Sequence, residues 1–156
     1  MDIIGVYTPW EPPSKIDSNG VQYWYKGDEL HREYGPSLIC VNGDKYWSKD
    51  GDFHREDGPA IIYANGSQFW CKDGKSHRED GPAIIYVNGF KEWYYNGKRH
   101  CEYGPAVIDT DGEKEFWYND KDITDEVIEW TEHNDIDLDN LSDRDKLLLK
   151  IFINGV

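Results

Sequence analysis

The chain has 156 residues, 38% of them hydrophobic and 15% aromatic, and a formal net charge of −14 at pH 7. That length suits a single domain with a real core, and the aromatic content excludes a disordered chain. The negative potential repels nucleic-acid phosphates and anionic lipid headgroups and attracts basic partners, so neither direct nucleic-acid binding nor membrane binding is expected.

Residues 1–18 open without a basic or long apolar leader. No stretch approaches the roughly 18 apolar residues of a membrane span. The short run Ile3-Ile4-Gly5-Val6-Tyr7 followed by Pro9, Pro12 and Pro13 reads as an N-terminal cap strand and an extended segment. The cysteines, Cys40, Cys71 and Cys101, are odd in number and form no C-x-x-C. They read as reduced thiols in a cytoplasmic protein.

Residues 19–122 are built on one repeating unit. His31, His54, His77 and His100 lie 23 residues apart and begin the units 31–53, 54–76, 77–99 and 100–122. A half unit at 19–30 precedes them, with Trp24 one period before Trp47, Trp70 and Trp93. Each unit runs from His-Arg-Glu through Gly-Pro to a short apolar run such as Ala60-Ile61-Ile62-Tyr63. It then passes Asn-Gly and a return strand bearing the aromatic pair, and closes on a second turn such as Asp73-Gly74. Proline belongs at a strand start because it cannot donate a ladder bond. Asn-Gly between apolar runs signals a hairpin, read here as a two-residue type I′ turn. That turn would set Leu38, Ile61 and Ile84 opposite Trp47, Trp70 and Trp93, with Ile39, Ile62, Ile85 and Ile108 as an apolar row on the other face. The expectation is a mainly β fold: an elongated, twisted antiparallel sheet of 23-residue hairpin repeats, about ten strands and ~45–50 Å long. The last unit drifts, with Cys101 for Arg, Phe116 for Trp and Asp120 for Gly. A terminal repeat has a different outer neighbour.

The stretches Trp70-Cys-Lys-Asp-Gly-Lys-Ser-His77 and Trp93-Tyr-Tyr-Asn-Gly-Lys-Arg-His100 make the repeat resemble the MORN type. The H-R-E-D-G-P-A version resembles the MORN-variant repeats common in bacteriophages and large DNA viruses. The resemblance spans about residues 19–122. It implies a scaffold architecture, a phage or viral source and, for a viral protein, the host cytoplasm. Such repeats serve unrelated partners, so it names no activity.

From residue 123 to 156 the period changes. Thr124 followed by Asp125-Glu126 predicts a helix start, with Ile123, Val127 and Trp130 on one face. Ser142 begins a second helix, read with Leu147, Leu148, Ile151 and Phe152 as its apolar stripe. Together these form an acidic helical cap expected to fold onto the last repeat and cover its edge.

No catalytic motif occurs, neither G-x-S-x-G, P-loop, H-E-x-x-H nor G-x-G-x-x-G, so no enzyme and no cofactor are expected. The four histidines, equivalent residues two strands apart, stand too far from one another to share a metal. They are read as turn fasteners with the adjacent Arg and Glu. The Trp row is read as core packing, with an aromatic binding surface as the alternative. Asp135, Asp137 and Asp139 alternate as in a calcium loop but lack its Gly and closing Glu, so no metal is assigned. Tyr94, Tyr95, Trp117 and Tyr118 break the repeat pattern. They are candidate partner-binding residues, or the seat of the C-terminal helices. Asp125, Glu126, Glu129, Glu132, Asp135, Asp137 and Asp139 are the acidic candidates. The functional expectation is a non-enzymatic module that binds and inhibits or regulates a host protein with a basic surface, such as an antiviral defence component. Alternatives are an acidic nucleic-acid mimic and a self-associating assembly protein.

Overall fold

The computed structural model describes residues 11–155, so the expected strand at Ile3 to Tyr7 lies outside the described residues. Ten two-residue strands form one antiparallel sheet in chain order, beginning at Lys15–Ile16 and Gln22–Tyr23 and ending at Val107–Ile108 and Lys114–Glu115. Each unit also carries a separate two-stranded hairpin, such as Cys71–Lys72 with Lys75–Ser76. The return strand is therefore broken at its Trp. The Trp70 N–H donates across to the Ala83 carbonyl at 2.7 Å, and its own carbonyl accepts from His77 N–H at 3.0 Å. A unit is thus two hairpins in series with Trp at the joint.

The two turns are of different kinds, and the expected assignment is corrected. The first is a three-residue loop: Cys40 N–H donates to the Asp44 carbonyl at 2.9 Å around Val41-Asn42-Gly43. Only its glycine is left-handed, at φ 97° for Gly43 and 95° for Gly66 and Gly89, as in a type I turn closed by a bulge. The Asn side chain takes part of the backbone's role, its Oδ1 accepting from the N–H two residues on at 3.1 Å for Asn42 and 2.9 Å for Asn65. The extra loop residue shifts the register by one. Leu38, Ile61 and Ile84 face Tyr46, Phe69 and Glu92, not the tryptophans. The type I′ geometry belongs to the second turn, where Asp50 and Gly51 have φ 47° and 86° and Asn96 and Gly97 have 51° and 82°.

That register buries one face more than the other. Ile61, Ile84 and Val107 are buried and Leu38 is half-buried, and the small residues before these four, Ser37, Ala60, Ala83 and Ala106, are fully enclosed. An edge-to-face aromatic ladder runs along the same face through Tyr46, Tyr63, Phe69, Tyr86 and Phe90, with centroids 5.4–6.2 Å apart. On the other face the row Ile39, Ile62, Ile85 and Ile108 is only half-buried, because its cross-strand partners are Lys45, Gln68, Lys91 and Lys114. The enclosed alanines leave no room for growth. Ala83→Val is expected to cost about 1–3 kcal/mol by overpacking, read as a lower urea midpoint; an unchanged midpoint would show slack at this position.

Helix α1 (Thr124–His133) and helix α2 (Asp143–Ile153) follow the last unit. Ser142 and Asp145 form a reciprocal capping box at the start of α2. The cap core is Phe116, Ile123, Val127, Leu149 and Ile153, flanked by Tyr118, Trp130, Leu138, Leu141 and Phe152. The expected α2 stripe is off by one residue. Leu147 and Ile151 are 57% and 63% exposed, whereas Leu149 and Ile153 are buried.

Candidate interaction site

The segment that starts each unit, His-Arg-Glu in the first three and His100-Cys101-Glu102 in the last, crosses back over the previous unit, its His N–H donating to that unit's Trp carbonyl at 3.0 Å. In every unit the His Nδ1 accepts a backbone N–H from the second turn, from Asp50, Asp73, Asn96 and Asn119 at 3.0–3.3 Å. The imidazoles are thereby fastened to the turns, with Glu33, Glu56, Glu79 and Glu102 beyond Nε2 at 3.0–3.9 Å. Burial lowers the His100 pKa below the ordinary 6.5, opposed by the Glu102 charge. In the folded state His100 therefore binds protons less readily than in the unfolded chain. Its contribution favours folding above the unfolded value, and stability falls as pH drops below about 6.5 toward the folded value. His100→Asn should flatten that acid-side loss in urea unfolding measured from pH 7 to pH 5; an unchanged slope would remove His100 as its source.

The arginines take a role that the spacing alone did not reveal. Arg32, Arg55 and Arg78 lay their guanidinium groups over Trp24, Trp47 and Trp70 of the preceding unit, 4.0, 4.3 and 4.1 Å from the ring. Each Nη1 also donates to the carbonyl of the proline four residues on, Pro36, Pro59 or Pro82, at 3.3 Å. Arg55 and Arg78 Nε donate to Asp57 and Asp80 at 2.8 Å, which holds both carboxyls below their usual range. The constant eight-residue step from Trp to Arg was the available signal. Between successive segments lie clefts floored by Trp47, Trp70 and Trp93.

The four candidate aromatics separate into two groups, because adjacent strand residues point to opposite faces. Tyr94 and Trp117 gather around Arg99, which lies 4.8 Å from the Trp117 ring and bonds Glu92 at 2.8 Å. The Tyr94 hydroxyl also donates to Glu92, at 3.3 Å, and burial, then the Glu92 charge, raises its pKa. Tyr95 and Tyr118 join a second array, His77–Tyr95–His100–Tyr118, with centroids 4.8, 5.9 and 4.9 Å apart. Tyr118 packs against the helical core and donates its hydroxyl to Asn154 at 2.8 Å. It belongs to the seat of the helices, whereas Tyr95 is exposed.

The acidic candidates lie on the outer side of the cap. Asp125, Glu126, Glu129 and Glu132 are all exposed on α1, and Glu126 alone of these approaches a described lysine, Lys121 at 4.0 Å. Asp137 is spent within its loop, accepting from Asp139 N–H and Asn140 Nδ2 at 2.8 Å, and Asp139 pairs with Lys114. Asp135 is exposed with a left-handed backbone, φ 53°. From α2, Lys150 reaches Glu102 at 2.7 Å and the Tyr103 hydroxyl at 2.6 Å, and those bonds raise its pKa. The described cysteines are free; Cys71 is buried and its thiol pushed up to about 11. None of the described helices is long and apolar enough to cross a membrane. The chain matches no protein-family model, and no curated protein matches it.

Proposed function

We propose that this chain is a non-enzymatic protein-binding module whose acidic C-terminal cap engages a basic surface of a partner protein. The observation that carries this reading is charge segregation. Residues 119–156 hold eleven acids against four bases, half of the net charge in a quarter of the chain. The acids of α1 are exposed, on a helix anchored by a buried apolar core. Such a face speeds the approach of a basic partner and sets its orientation. Along the repeats, lysines paired with acids, Lys26 with Asp50 and Lys72 with Glu56, interrupt the continuous negative face that a nucleic-acid mimic requires. The MORN-variant resemblance adds a phage or viral source to the proposal, with inhibition or regulation of a host protein in the host cytoplasm as the role.

The test is affinity capture from a bacterial lysate at moderate salt, with proteins identified by mass spectrometry. The comparison is a chain carrying Asp125→Asn, Glu126→Gln, Glu129→Gln and Glu132→Gln. A specific basic partner is expected, and its association rate should fall about 10–100-fold in the neutralised chain. A partner held equally by both chains would overturn the role of the cap.

A further inference from the structure

The last Trp of the row differs from the others in one way that bears on binding. Trp24, Trp47 and Trp70 each lie under an arginine of the next unit. At the equivalent position for Trp93 the chain has Cys101, and among the described residues no cation lies over the Trp93 ring. The second contact of the missing arginine is unmet too. The Pro105 carbonyl, counterpart of Pro36, Pro59 and Pro82, accepts no hydrogen bond from a described residue. The acid that pairs with Arg55 and Arg78 in the middle units is replaced by Tyr103.

The uncovered Trp93 ring and Tyr103 meet in one cleft of about 330 Å³. Trp93, Tyr95, Tyr103 and His100 supply its aromatic surfaces, and Glu79 and Glu102 its carboxylates. The Glu79 side chain is 77% exposed, and the nearest basic group to it is His77 Nε2 at 3.8 Å. Glu102 is held by Lys150, which also lies 4.4 Å from the Tyr103 ring. Arg78 is committed to Trp70, Asp80 and Pro82.

The geometry points to this cleft as a receptor for an arginine side chain of the partner protein. The incoming guanidinium takes the place that Arg32, Arg55 and Arg78 occupy in the other units: flat on the indole of Trp93, donating to the Pro105 carbonyl, with Glu79 supplying the counter-charge. Three copies of the same seat within the chain show which group it accepts. This assignment rests on the protein-binding reading and names the partner residue class that the reading leaves open.

The test uses the full chain, labelled with nitrogen-15, and the peptide acetyl-Gly-Arg-Gly-amide, following the Trp93 indole N–H. A saturable shift is expected, with the citrulline peptide binding at least about tenfold more weakly. Cys101→Arg supplies the guanidinium from within and should weaken peptide binding about tenfold, whereas Cys101→Ala leaves it unchanged. An equal response to citrulline, or full affinity in Cys101→Arg, overturns the assignment. Should Cys101→Arg fail to fold, Trp93→Leu, read at the His100 imidazole, must abolish binding; retained binding there also overturns it. The peptide titration bypasses the partner. Its failure alongside cap-dependent partner capture rejects the seat alone, and a positive titration without capture rejects the cap.

Discussion

Phe116→Ala is expected to lower the unfolding free energy by about 3–5 kcal/mol and to release both C-terminal helices from the last repeat. Phe116 is 1% exposed and is the largest of the fully enclosed side chains. It stands where the three preceding full units have Trp, but its neighbours are different. Ile123, Val127, Leu149 and Ile153 close over it, where Trp47 and Trp70 carry an arginine. Its backbone N–H donates to Thr124 Oγ1 at 3.0 Å, and its carbonyl accepts from Ile123 N–H at 2.9 Å, so strand and helix meet at this one residue. Truncation leaves a cavity that two rigid helices close poorly. Restoring the repeat residue does not help: Phe116→Trp adds volume to a filled space and should cost about 1–3 kcal/mol. Urea unfolding followed by far-ultraviolet circular dichroism checks both. A loss under about 1 kcal/mol for the alanine variant, with helical signal intact, would show that the helices hold without this anchor.

Arg99→Met carries the second large effect, a loss of about 2–4 kcal/mol. Glu92 is 7% exposed, and its carboxylate is held by Arg99 Nη2 at 2.8 Å and the Tyr94 hydroxyl at 3.3 Å. Removing the guanidinium leaves a buried carboxylate with one neutral donor. The figure lies below that of a fully buried pair because the Arg99 side chain is 30% exposed and solvent screens part of the interaction. The Arg99 Nε, enclosed without a partner among the described residues, already tempers what the pair contributes. Replacing both charges by the residues of the second full unit, Glu92→Phe with Arg99→Ser, should recover most of the loss, since Phe69 and Ser76 fill those positions there. Chemical denaturation of the single and double variants forms the check. A double variant as unstable as Arg99→Met would show that the loss is one of packing and not of an orphaned charge.

Much of the architecture was legible because it is periodic. The 23-residue spacing of His, Gly-Pro, Asn-Gly and Trp predicts identical hairpins, and identical hairpins extend a sheet by adding edges. The helix start at Ser142 was legible for a similar reason, since a helix start is set by residues within four of one another, although its reciprocal bonding with Asp145 came from the structure. The type of each turn was not legible. Asn-Gly satisfies both a two-residue type I′ loop and a three-residue loop with one left-handed glycine. The choice depends on how the strands twist and pair across the sheet, and it moved every facing partner by one.

Within the candidate site, the break in the repeat at Tyr94, Tyr95, Trp117 and Tyr118 was visible, but not its division. Strand alternation places Tyr94 and Trp117 around Arg99 and leaves Tyr95 and Tyr118 with the histidines. The stacking of Arg32, Arg55 and Arg78 on tryptophans of the preceding unit was not legible, because a row of arginines beside acids reads equally well as a solvated, self-paired face.

What the sequence by itself determined is what short-range physics decides: the repeat, its turns as positions, the helix starts and the concentration of negative charge after residue 119. Only the tertiary structure decided the register, the buried row of α2 and the partner of each guanidinium. The run Leu147-Leu148-Leu149 with Ile151-Phe152-Ile153 offers overlapping rows at helical spacing. The seat around Phe116 selects Leu149 and Ile153. Which of several apolar rows is buried, and which aromatic ring receives a cation, depends on the shape and charge of a surface brought from elsewhere in the chain.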